Sequence, residues 1–166
     1  MELVEGTATV DDVDGFVERL GAVGDEYGVA VQAFDARYVV DREHLERAVE
    51  LADRAFTRDD AIARDQSVEI LLYAAGRRQI NRALTMGVGE GESSVVVVVH
   101  DASGDGDESG AVAVVADLLE PASTLGEYDD ERVREFFDVG DRELAATDGT
   151  LADLVRERVA LLTVGK

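Results

Sequence analysis

Residues 94–100, SVVVVVH, are the stretch whose reading decides the fold. Successive side chains of a strand point to opposite faces of its sheet, so five valines in a row require both faces to be dry. The run therefore reads as a central strand with helices above and below it. Gly87, Gly89 and Gly91 lead into it, and DASGDGDESG (101–110) leads out. Downstream, AVAVVADLL (111–119) is rich in β-branched residues and reads as a returning strand that closes a hairpin.

Two further strands lie upstream, LVEGTAT (3–9) and VAVQAF (29–34), with RYVV (37–40) either extending the second or forming a bent continuation of it. Between them Asp11 or Asp12 caps a helix whose stripe is Val13, Phe16, Val17 and Leu20, ended by Gly28. Asp41 caps a second helix with Leu45, Ala48, Val49, Ala52 and Phe56 inward, closed near Thr57, and 58–64 reads as a short helical segment. Past Pro121, residues 131–137, 141–146 and 151–162 read as helices, the last with Leu151, Leu154, Val155, Val159 and Leu162 along one side. The expected class is α/β in the broad α+β sense. It is one compact domain over residues 1–166, with a small mixed or antiparallel central sheet flanked by helices.

The central valines are preceded by a helical stretch of a different kind. In residues 67–88 (SVEILLYAAGRRQINRALTMGV), Ser67 is the expected cap and Val68, Leu71, Leu72 and Ala75 form the inward stripe. After Gly76 the apolar positions Ile80, Ala83 and Leu84 turn about 110° away from that stripe, at ~100° per residue. One straight helix cannot bury both sets, so the chain is expected to break at Gly76 into two helices. On the second helix Arg78 and Arg82, four residues apart, share a face opposite Ile80 and Leu84, with Arg77 at the junction.

Charge singles out the same stretch. The chain carries 16 Lys plus Arg against 37 Asp plus Glu, a net charge of −21, and its one lysine is Lys166. Acidity of this degree on a chain with clear apolar periodicity points to a folded protein adapted to concentrated salt rather than to disorder. Residues 37–82 nevertheless hold nine Arg and nine acids, and no Asp or Glu lies between Ile70 and Gly89. Arg77, Arg78 and Arg82 there either pair with surface acids from elsewhere or meet an anionic ligand. Arginine suits the second role through its bidentate fork and its stacking on bases. Tyr73 and Tyr38 are the aromatic residues within reach, which favours a short single strand or a terminus over a long groove.

Other chemistry finds no pattern in the sequence. Cysteine is absent, which excludes disulfides, thiol catalysis and cysteine-ligated zinc. His44 and His100 stand alone, His44 near the first turn of its helix and His100 at a strand end, and no metal or cofactor is expected. GVGEGES (87–93) lacks the lysine and following helix of a phosphate loop, and Asp101, Asp105, Asp107 and Glu108 do not follow the EF-hand spacing. No nucleophile with its base is evident, so the expectation is a protein that is not an enzyme. The N-terminal MELVEGTATVDD has neither a cationic start nor an apolar core, and no apolar run approaches membrane length. A cytoplasmic protein without membrane association is expected.

Segments 37–56 (RYVVDREHLERAVELADRAF), 62–84 (IARDQSVEILLYAAGRRQINRAL) and 154–162 (LVRERVALL) together resemble the kinase-binding Cgi family, the small accessory subunit of the KEOPS complex. The resemblance rests on His44-Leu45 with Ala48, Glu69 with Leu71 and Leu72, Gly76 with Arg78-Gln79-Ile80 and Ala83, and Arg158-Val159-Ala160, in the family's order. It implies a non-catalytic domain that binds the complex's small atypical kinase/ATPase. It also implies capture of the 3′ CCA end of tRNA during N6-threonylcarbamoyladenosine modification, with no DNA expected as a partner. Arg78, Gln79 and Ile80, flanked by Arg77 and Arg82, would then be the tail-binding residues. The final helix has two readings, core packing or kinase contact, and for the latter the candidates are Val155, Arg158, Val159 and Leu162. The acidic loop and the near-absence of lysine depart from the family's pattern. The reading from a different class is a small-molecule or anion-sensing regulatory domain built on Arg77 and Arg82.

Overall fold

The computed structural model describes residues 1–164. Its centre is β3 (Gly91–His100), in which Val95 to Val99 are all fully buried. β1 (Glu2–Val10) and β2 (Ala30–Asp35) flank it, both antiparallel to it, and the short β4 (Glu120–Pro121) pairs with β1 at Gly6 and Thr7. The sheet order is β2-β3-β1-β4 and every pairing is antiparallel.

The valines divide between two cores by the period of two that a strand imposes. Val95, Val97 and Val99 join one apolar cluster with Phe16 and Leu20 of α1 (Val13–Tyr27) and Ala111 and Val115 of α5 (Glu108–Asp117). Val96 and Val98 join a larger one. It is built from α2 (Arg42–Thr57), α3 (Gln66–Ala75), α6 (Asp130–Phe136) and α8 (Leu151–Val164). A four-residue helix, α4 (Ile80–Ala83), and α7 (Asp141–Ala146) complete the chain. The result is one α+β domain with helices on both faces of its sheet. Among the described residues, no helix is long and apolar enough to cross a membrane.

Three local expectations are corrected and one alternative is decided. Residues 111–119 form no strand: Asp107 accepts the Gly110 N–H at 2.9 Å as an N-cap, and Ala111 and Val115, one turn apart, close the sheet's second face. Gly110 permits that packing, since a Cβ there would stand 2.6 Å from the Tyr27 ring. Of the two readings of 37–40 the bent continuation holds: Ala36–Tyr38 is a 3₁₀ turn directly after β2, because Asp35 accepts both the Arg37 N–H (3.0 Å) and its guanidinium (2.7 Å). Residues 58–64 are loop, with Asp59 left-handed (φ 54°) at the end of α2. The buried Glu69 carboxylate holds that loop by accepting from the N–H groups of Ile62 (3.0 Å) and Ala63 (2.8 Å). Finally, α3 is capped by Asp65 rather than Ser67.

His44 ties α2 to α3. Its Nε2 lies 2.8 Å from the Ala74 carbonyl and its Nδ1 takes the Val40 N–H at 3.3 Å, an arrangement that requires the neutral ring with its proton on Nε2. Burial pushes its pKa down to about 4, although the Ala74 bond works against that shift. Its neutral form supports the fold in full above the unfolded value of 6.5. Between 6.5 and about 4 the unfolded chain takes up a proton that the folded chain refuses, so stability falls with pH. At pH 5 the loss attributable to this group is about 2 kcal/mol. Urea unfolding at pH 7.5 and pH 5, on the native chain and on His44→Leu, checks it: the substitution should destabilise the protein at pH 7.5 and remove that part of the pH dependence.

Candidate nucleic-acid interface

Helix α3 is buried from Glu69 to Ala75 and ends at Gly76, which adopts the left-handed conformation (φ 62°). The chain then turns through Arg77 and Arg78 to Gln79, whose carbonyl accepts the N–H groups of Arg82 and Ala83 at 3.1 Å and starts α4. The break at Gly76 is therefore where the change of apolar face placed it. The second helix is shorter than expected, because Gln79 is extended (φ −100°, ψ 124°). Arg78 consequently precedes the helix and does not share a helical face with Arg82.

Of the buried positions expected on the second helix, Ala83 is fully buried, whereas Ile80 and Leu84 are 48% and 57% exposed. They line a narrow apolar groove of about 240 Å³ together with Val17 of α1 and Val68 and Leu71 of α3. Arg82 and Thr85 look the other way, into a cleft of about 440 Å³. The segment from Ile80 to Met86 is thus a ridge with an apolar groove on one side and a cationic cleft on the other.

Three arginines line that cleft, Arg77, Arg82 and Arg132, with the rings of Tyr38 and Phe136 between them and Glu135 as its one carboxylate. Arg77 is half-buried: its guanidinium donates to the Phe136 carbonyl and lies over the Phe136 ring, 4.9 Å from the centroid. Tyr38 meets Phe136 edge to face at 5.6 Å. Arg132 is exposed, with Asp129 at 3.4 Å, and among the described residues the Arg82 guanidinium has no hydrogen-bond or ion-pair partner. Tyr38 is itself buried, so the aromatic surface the cleft offers is the half-buried Phe136 ring, and arginine beside such a ring can hold a phosphate and stack a base. Tyr73 cannot take part in stacking, being buried inside α3.

The fold thus brings Arg77 and Arg82 to one cleft. Arg78, Gln79 and Ile80 are exposed outside it, Ile80 in the neighbouring groove. Arg132 and Phe136 join the cleft without any signal in the sequence. No spacing links α6 to residues 77–82, because the two meet only through tertiary packing.

On the final helix, Val155, Val159 and Leu162 face the larger core, while Leu161 is 50% exposed. Arg158 donates to the Phe137 carbonyl (2.8 Å) and pairs with Glu143 at 2.6 Å, which holds the Glu143 carboxyl below the usual carboxylate range. It thereby fastens α6 and α7 to α8. The loop after β3 is ordered from within and tied to α1: Asp101 accepts from the N–H groups of Ser103 (3.1 Å), Gly104 (3.0 Å) and Gly106 (3.1 Å), and the Asp107 N–H donates to the Tyr27 carbonyl at 2.8 Å. The Asp101 carboxylate closes a turn.

Val159→Ala removes two buried methyl groups and should cost about 2 kcal/mol, whereas Leu161→Ala should change stability by less than ~0.5 kcal/mol. Chemical unfolding of the two variants reads the difference.

Residues 17–163 match the protein family described as kinase binding protein CGI-121. No curated protein matches the chain.

Proposed function

The chain belongs to the CGI-121 family of kinase-binding proteins, and from that premise we propose that it is the non-catalytic KEOPS subunit that binds the complex's small kinase/ATPase and holds the 3′ CCA end of tRNA. Its part in N6-threonylcarbamoyladenosine formation is then recruitment, with the chemistry performed on a neighbouring subunit. The observation that carries the RNA reading is the acid-free segment from Arg77 to Thr85, which opens on a cleft where the Arg82 guanidinium, without a partner among the described residues, lies near the half-buried Phe136 ring. A single-stranded terminus can enter a cleft of that size, and a duplex cannot.

Net charge supports a halophilic setting and constrains how such binding works. With −21 on the chain, long-range attraction to RNA is unfavourable, and molar salt shortens the Debye length to ~3 Å. Near 1 M salt the free energy of releasing counterions approaches zero, because the bulk already holds the ions that would be freed. Affinity then comes from direct arginine hydrogen bonds, stacking and apolar contact at Ile80. The kinase contact is assigned to the outer face of α8 around Leu161, since the inner residues Val155, Val159 and Leu162 are occupied by the core.

Titration of tRNA with and without its CCA end in 2 M KCl tests the proposal: the truncated tRNA should bind at least tenfold more weakly, and equal affinity overturns it. Arg78→Glu should weaken binding as well. Leu161→Arg should reduce capture of the kinase without lowering the melting temperature. The cleft's volume also suits a free nucleotide, which favours the anion-sensing alternative. A nucleotide-induced rise in melting temperature of the isolated chain would support that second reading.

A further inference from the structure

The cleft has two walls, and only one of them comes from the arginine segment that draws attention in the sequence. Its other wall is α6, which contributes Arg132 and Phe136. The arginines are not equivalent. Arg77 is already engaged, donating to the Phe136 carbonyl and covering one side of its ring. Arg82 has no partner among the described residues, and Arg132 has only an exposed carboxylate at 3.4 Å, a pairing worth little in water.

We propose that α6 forms half of the RNA seat: Arg132 and Arg82 contact phosphate from opposite walls, the half-buried Phe136, backed by the buried Tyr38, presents the surface on which a base stacks, and Arg77 is a positioning residue that locks α6 against the α3–α4 junction. This rests on the RNA reading given above. Rim position and exposure leave the Arg82 and Arg132 guanidinia available to an incoming anion. The half-buried Arg77 donates one N–H to the Phe136 carbonyl and lays its flat face over the Phe136 ring, which commits it to holding α6 in place.

Salt dependence separates contact from positioning, because each phosphate contact on a single strand contributes about 0.7 to the slope of log K against log salt. The experiment titrates the full chain with a six-nucleotide single-stranded RNA bearing a free 3′ end, from 0.5 to 3 M KCl. Arg82→Ala and Arg132→Ala should each weaken binding about tenfold and flatten the slope by about 0.7. Phe136→Leu and Arg77→Ala should weaken binding and leave the slope unchanged. Arg132 is exposed, so its variant should melt with the native chain and serves as the decisive one. Native affinity and slope in Arg132→Ala, while Arg82→Ala loses both, would overturn the two-walled seat and leave the RNA reading standing. A flattened slope in Arg77→Ala would overturn its positioning role. Binding that none of the four variants alters, and that survives loss of the tRNA tail, would remove both the seat and the reading it rests on.

Discussion

A helix buried on every side has to have its ends closed by the rest of the protein, and α3 is such a helix from Glu69 to Ala75. Its Ala74 carbonyl faces His44 of α2. Its C-terminus turns through Gly76, where a Cβ would stand 3.2 Å from the Arg158 carbonyl of α8, so a close backbone approach and a positive φ coincide at one residue. Near its N-terminus Glu69 gathers the loop from α2. These contacts fix where the chain emerges from the core. What emerges is Arg77, and the direction of the arginine segment follows from closing α3.

The pieces that carried the family resemblance meet at this point. Glu69 and Gly76 belong to α3 and its C-cap, while His44 and Arg158 come from distant parts of the sequence. His44 bonds the Ala74 carbonyl, the Arg158 backbone packs against Gly76, and Glu69 holds the loop that precedes the helix. Their role is to build the mount for residues 77–82. The sheet serves the same end from beneath: a strand of five valines is satisfied only between two helical layers, and the larger of those layers contains α3.

The parts of the fold legible in the sequence were those where burial alone decides. The valine run announced a central strand, and the shift of apolar face after Gly76 announced the break between helices. AVAVVADLL failed because its local preference is for strand, whereas the second face of the sheet needed cover and Asp107 with Gly110 supplied the start of a helix. The site was half legible for a related reason. An acid-free run with three arginines stands out against a net charge of −21, but Arg132 lies among Asp129, Asp130 and Glu131 and reads as solvated surface. The contacts of Arg77 and Tyr38 with Phe136 show that α6 returns to the same place.

That contrast bears on how an acidic protein can engage RNA at all. If attraction over distance were required, cations would have to dominate a broad face. Instead the cleft places guanidinium and aromatic surface within one nucleotide's reach and tolerates acids just outside it, including Glu135 on its own rim. In concentrated salt those outer charges are screened within ~3 Å, while a bidentate hydrogen bond or a stacked base, made in contact, is not. On the proposed RNA reading in concentrated salt, the acidity of the surface and the neutrality of residues 37–82 are two responses to one solvent: exposed positions favour hydration, and contact positions favour arginine, whose flat, weakly hydrated head still binds when long-range attraction is lost.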